Sequence, residues 1–449
     1  MSERTKRFPH VELQFTTQGT ASYSRFPRDK NAITKANLGD RGGHGSTLKS
    51  SASSIVSDWQ GQLEERRQEQ KPELPEAVPL ILRIDPTAFD AEKLRKFGIE
   101  VIAELEDGYI IGASADLQLT ELQKKIEQFI KAERGGGKVS EIWDILDGTR
   151  RPEYILSPDL QEQWGEIQDN QIYTVDVGIS CVGTNSQLRD YPKREFYKSD
   201  ENYIEAIRRW MSDRNFTYQE WDAVKSNRED DFEDFVAGYQ GEFLKIFDGE
   251  SLGFSELPDS FSCRISISGK GLRDLVLNFP YVFDVSLPDD IHENPIEAIT
   301  QLDDCDITFT LEAPDQNAPK VCIIDSGIQE QHPLLQSAIS TNDSKSWIPN
   351  ETNLTADFVP NGGHGTRVAG AVLYPNTVPQ SGQQQAACWL QNARVLDKEC
   401  SLPQALYPPI LIADIVEFYQ EKTKTRIFNG CDQNLMCLLV RVMVILQVI

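Results

Sequence analysis

What this chain lacks narrows it before any motif is read. A membrane-spanning helix needs about 20 consecutive apolar residues. The run from Leu435 to Leu446 is too short for that and carries Arg441. Met1 to Phe15 has no apolar core of the kind a secretory leader requires, so none is expected. The eight cysteines include no C-x-x-C pair and no metal-like spacing. That speaks against a zinc site or a disulfide framework and predicts reduced thiols in a cytoplasmic protein. Basic charge is scarce: 45 Lys and Arg stand against 70 Asp and Glu, a formal charge of −25. Binding to nucleic-acid phosphates, which calls for a basic face, is therefore not expected, and neither is a membrane.

What remains is the composition of globular domains, 39% hydrophobic and 26% charged over 449 residues, enough for two to four of them. Residues 1–76 are expected to be largely disordered, with one charged helix from about Ser53 to Gln70. Within them, Gly42-Gly43-His44-Gly45-Ser46 reads as a flexible loop. From residue 77 to 150 the pattern is strand, helix, two strands across Asp107-Gly108, helix, strand. That βαββαβ order predicts a ferredoxin-like α+β module. Residues 151–296 read as a second, looser copy. Its strands are Ile172 to Ile179, Phe243 to Phe247, Ser262 to Ile267 and Tyr281 to Ser286, and its helices Glu201 to Ser212 and Gly271 to Asn278. The acidic run Glu229 to Asp234 reads as a solvated surface rather than a metal site.

Chemistry is concentrated after residue 297. Lys320-Val321-Cys322-Ile323-Ile324-Asp325-Ser326-Gly327 is a short apolar run ending in an acid, a hydroxyl and a glycine. It suits a buried parallel strand with Asp325 at its carboxyl end, where open α/β sheets place functional groups. Further on, Gly362-Gly363-His364-Gly365-Thr366-Arg367-Val368-Ala369-Gly370 puts a histidine at the head of a helix of small residues. Glycines within a helix each cost about 1 kcal/mol against alanine, so this helix is expected to be packed at very close range.

These two segments resemble the subtilisin-like serine proteases, the subtilase family. Asp325-Ser326-Gly327, followed by His332-Pro333, matches the aspartate motif, and His364-Gly365-Thr366-x-Val368-Ala369-Gly370 matches the histidine motif. The resemblance implies that Asp325 is the orienting acid and His364 the general base of an Asp-His-Ser triad acting on protein or peptide substrates. A serine hydroxyl attacks only when a neutral imidazole takes its proton, and a buried carboxylate holds that imidazole in the right tautomer. No cofactor is implied; structural calcium occurs in the family, but no residue here argues for it. The expected architecture is a partial subtilisin-like parallel sheet with flanking helices over residues 297–429, preceded by the two ferredoxin-like modules.

The third member is missing. The 85 residues after His364 contain two serines, Ser381 and Ser401, and neither sits in a Gly-Thr-Ser-x-Ala-type segment. Gly183-Thr184-Asn185-Ser186 fails by its extra Asn and its place in the chain. Asn392 to Asp397 reads as a core strand, Leu411 to Glu421 as an amphipathic helix, and Thr425 to Asn429 as the next strand. After Asn429 the resemblance stops, and residues 430–449 form an anomalous tail. A frameshift or premature stop before the nucleophile is one reading of that tail, a genuine terminal strand or helix the other. The functional readings are accordingly a serine endopeptidase inactive as written, or a non-catalytic protein acting through its N-terminal modules as inhibitory or docking domains.

Overall fold

The computed structural model describes residues 31–87, 91–146, 148–183, 190–244, 253–289, 308–359 and 363–423. It divides into two units, Met1–Gly61 with Val78–Gly148, and Gln62–Ala77 with Thr149–Ile449. Sheets are antiparallel in the N-terminal part and parallel after residue 308, a mixed α/β structure.

In the first unit, helices α1 (Ala32–Gly39) and α2 (Arg41–Gln68) precede strand β1 (Val78–Ile84). Strands β2 (Glu100–Glu104) and β3 (Tyr109–Ser114), helix α3 (Thr120–Ile130) and strand β4 (Ile142–Leu146) follow. The sheet order is β2-β3-β1-β4, and the central β1 is almost wholly buried. Instead of an α-helix, a 3₁₀ turn over Ala91–Phe97 fills the first crossover. The largely disordered segment expected before residue 77 does not hold for residues 31–68. Helix α2 begins at Arg41 and buries Leu48, Ala52, Ile55, Val56 and Trp59, so His44 lies in a helix rather than a loop. Periodicity missed this because Gly, Ser and Thr crowd the helix's first half, and packing overrides their poor propensity.

In the second unit, α4 (Pro152–Ile155) and α5 (Pro158–Gln163) lead into β5 (Ile172–Ser180). Then come α6 (Asp200–Gly238), β6 (Glu242–Phe243), β7 (Phe254–Leu257), β8 (Ser260–Ser268), α7 (Gly269–Asn278) and β9 (Val282–Ser286). The sheet runs β6-β8-β5-β9, with β7 also paired to β8. Helix α6 is three times the length anticipated and absorbs the acidic run. Phe232 in that run is fully buried among Phe243, Phe261 and Phe279, and burial with neighbouring acids raises the Glu229 and Asp231 carboxyls. The run is therefore a core-facing helix turn on one side, not a solvated surface throughout. Arg151, fully buried, donates to Leu277 O and Val282 O, and burial pulls its guanidinium down to about 9.

The same unit continues with β10 (Thr308–Glu312), β11 (Lys320–Asp325), β12 (Ile339–Ser346), α8 (His364–Leu373), β13 (Ser381–Gln385), β14 (Trp389–Arg394) and α9 (Pro408–Thr423). Strands β11, β14 and β12 form one parallel sheet in that order, and β10 pairs with β13 in another. Alternation along β11 sorts its side chains onto two cores. Val321 and Ile323 pack with Ala369 and Leu373 of α8, while Cys322 and Ile324 pack with Trp347 and with Leu411 and Ile415 of α9. One helix thus covers each face, and Asp325 emerges at the end of β11. The strand expected over Thr425 to Asn429 and the tail at 430–449 lie outside the described residues.

Candidate active site

Asp325 ends β11 opposite Arg394 of β14, and Val395 N donates to its carbonyl at 2.7 Å, which fixes the strand end. The chain then turns sharply at Gly327, whose φ of +104° suits glycine. A side chain there would also meet the main-chain oxygens of Thr355 and Ala356 at 2.6 Å. Helix α8 starts at His364 and approaches this turn so closely that a Cβ on Gly365 would press on Gly327 O and lie 3.0 Å from Asp325 Cβ. The glycine of the histidine motif is therefore what lets the helix carry its imidazole up to the strand.

The result is a direct pair. His364 Nδ1 lies 2.9 Å from Asp325 Oδ2 and 3.0 Å from Oδ1. The Asp325 side chain is 5% exposed and that of His364 29%. Because a carboxylate only accepts, Nδ1 carries the hydrogen and Nε2 is left as the basic nitrogen of the neutral ring. Ser326 N also donates to Asp325 Oδ1, at 2.7 Å. A buried acid that holds an imidazole in this tautomer leaves its far nitrogen able to accept a proton.

The family comparison agrees with this geometry: the subtilase family profile matches residues 316–430. That region is a subtilase family domain. A second profile places a Y4kK N-terminal domain at residues 42–151, which takes in α2 from its second residue and the first antiparallel sheet. No curated protein matches this chain. Of the sequence-predicted residues, the subtilase domain brings Asp325 and His364 together. Ser381 sits in β13, opposite Thr308 of β10 and off the Asp325 sheet. Ser401 closes a turn whose Asp397 carboxylate accepts from its N–H. His332 also serves a turn, its Nδ1 accepting from Leu334 N at 3.3 Å.

The sequence reading missed the supports. Asn392 Nδ2 donates to Glu330 Oε1 and to Thr355 O, both at 2.9 Å, and Thr355 Oγ1 donates to Glu330 as well. Tyr419 OH donates to Asn392 O at 2.6 Å, and its burial raises the phenol well above its usual range. Arg394, almost wholly buried, donates to Glu351 Oε2 and Leu354 O and stacks on Phe358. These contacts pin residues 351–358 against the strand ends; their long-range partners give no local pattern to read. Among the described residues no group of three His, Cys, Asp or Glu could hold a metal ion.

Proposed function

We propose that the subtilase domain supplies the orienting acid, Asp325, and the general base, His364, of a serine endopeptidase acting on protein or peptide substrates. The observation that carries this is the bidentate approach of His364 Nδ1 to the buried Asp325 carboxylate. In the reaction, Nε2 would take the proton of an attacking serine, and the carboxylate would stabilise the imidazolium so formed. Neither serine after His364, Ser381 or Ser401, lies in a Gly-Thr-Ser-x-Ala-type segment, and on that ground we read this polypeptide by itself as inactive. A fluorophosphonate probe, which labels activated serines, is expected to leave it unmodified. Labelling that His364→Ala abolishes would overturn the inactive reading. In a form that carries the nucleophile, Asp325→Asn is expected to lower turnover by about 10⁴-fold; a loss below about tenfold would remove Asp325 from its role.

A second reading has its own observation. The two antiparallel sheets, each with its first strand central, support ferredoxin-like modules over about 77–150 and 151–296. A buried side chain of the second meets the subtilase domain. Arg264 of β8 pairs with Asp176 of β5 at 2.6 and 2.8 Å, and its Nη1 donates to Gln404 O at 2.8 Å and to Leu406 O. Its guanidinium also faces the Tyr407 ring. This contact supports a docking or inhibitory module clamped to the segment that leads into α9. Arg264→Ala leaves Asp176 without its cation and is expected to cost about 3 kcal/mol, with faster amide exchange in the first turn of α9. Unchanged exchange there would rule out the clamp.

A further inference from the structure

Beside the Asp325–His364 pair stands a second buried acid, Asp357, which is 3% exposed. Its Oδ2 accepts from Thr366 N at 3.1 Å and Thr366 Oγ1 at 3.0 Å, and its Oδ1 from Val359 N at 3.1 Å. Gln329 Nε2 donates to its carbonyl. A Cβ on Gly363 would fall on this carboxylate, so glycine there admits the acid to the start of α8. Gly363, the residue before the helix, supplies no capping side chain. The orphan amides of the first turn are met from outside instead, Thr366 N by Asp357 and Gly365 N by Ser326 Oγ at 3.1 Å.

Ser326 joins the two acids. Its hydroxyl oxygen lies 3.1 Å from Asp325 Oδ1 and 3.1 Å from Asp357 Oδ1. One hydroxyl has one proton, so it can serve only one carboxylate at a time. When it donates to Asp325, part of that acid's charge is spent on a hydroxyl rather than on the imidazole. When it donates to Asp357, Asp325 keeps its full charge for His364, and Asp357 is further satisfied by the amides and the threonine hydroxyl. Thr366 Oγ1 in turn accepts from Gln329 N at 3.0 Å, which leaves its own proton for Asp357 and fixes the direction of the chain.

We propose that Asp357 is a positioning residue of the peptidase site: it draws the Ser326 proton away from Asp325 and seats the helix end that carries His364, so that Asp325 faces the imidazole undivided. This rests on the reading of Asp325 and His364 as acid and base. The test is the titration of the five histidines in the 449-residue chain, followed by carbon-labelled Cε1 NMR, with the His364 signal identified by its loss in His364→Gln. Asp357→Asn is expected to lower the His364 midpoint by about half a unit, since a charge is lost and the hydroxyl turns to Asp325. In a Ser326→Ala background the same change should lose more than half of its effect, the signature of coupling through the hydroxyl. A midpoint that does not move, or a shift that is equal in both backgrounds, overturns the proposal and leaves Asp357 a helix cap. Should Asp357→Asn fail to fold, Ser326→Ala alone decides. A midpoint within about 0.2 unit of the parent supports the proposal, because the proton was not on Asp325. A clear rise means that it was, and refutes it. Asp325→Asn must itself lower the midpoint by about a unit or more; if it does not, the acid-base reading fails, whatever Asp357 does.

Discussion

The chain contains Gly-Gly-His-Gly twice, at residues 42–45 and 362–365, and folds the two copies to different ends. His44 lies in the first turn of α2, where its Nε2 is 2.9 Å from Ile142 O and its ring meets Phe129 edge-on. His364 heads α8, with its Nδ1 on the Asp325 carboxylate. Both rings are held by close polar contacts, but the atoms they meet differ in kind. A carbonyl offers a dipole that holds a neutral ring, whereas a carboxylate offers a charge that stabilises the ring after it takes a proton. The tetrapeptide does not encode the chemistry; the atom that the fold brings to the imidazole does.

Alanine at the last glycine of each copy should separate them most. At Gly365 the added Cβ meets main chain and the Asp325 strand end, which cannot yield. At Gly45 it meets the Ile130 side chain, which can rotate, and the helix gains propensity. Gly365→Ala is expected to cost about 3 kcal/mol and Gly45→Ala under about 1 kcal/mol. Amide exchange read separately on α8 and α2 measures each, and equal losses would erase the distinction.

Removing the rings should invert the order of importance. His44→Ala strips a buried carbonyl of its donor and is expected to cost about 1–2 kcal/mol, while His364→Ala leaves Asp325 with its contacts to Ser326 and is expected to cost less. A lower melting temperature for His364→Ala than for His44→Ala would contradict this. The smallest effect concerns pH. Burial pushes the Cys322 thiol beneath α9 from 9 up to about 12. Between those values the folded domain keeps a proton that the unfolded chain releases. The thiol's contribution is thus complete below pH 9 and lost as pH rises toward 12. Cys322→Ala should flatten the alkaline loss of α9 protection and leave that of α2 unchanged.

The sequence was most legible where local pattern and packing agree. The continuous apolar run Val321 to Ile324 predicted a buried parallel strand, and the spacing of Leu411, Ile415, Phe418 and Tyr419 predicted a helix, which covers one of its faces. Asp325 and His364 stood out because their neighbours must be small to let strand and helix meet. Asp357, Glu330 and Asn392 were invisible for the opposite reason. Their partners are distant in sequence, and an acid in a loop looks the same whether or not it is buried. Helix α2 was shortened because its first half is built of residues that packing, not propensity, makes helical.

The register of the parallel sheet sets an order of events. Lys320 of β11 pairs with Trp389 of β14, and β12 reaches the sheet only through the same strand. In the first antiparallel sheet, by contrast, β2 is joined to β3 by a short turn, and β1 finds β3 within a few dozen residues. Such local pairing closes quickly, while distant parallel pairing is slow. On a ribosome, the first antiparallel sheet can therefore be complete while Asp325 still waits for β14 to emerge, and the bed for the imidazole is laid last.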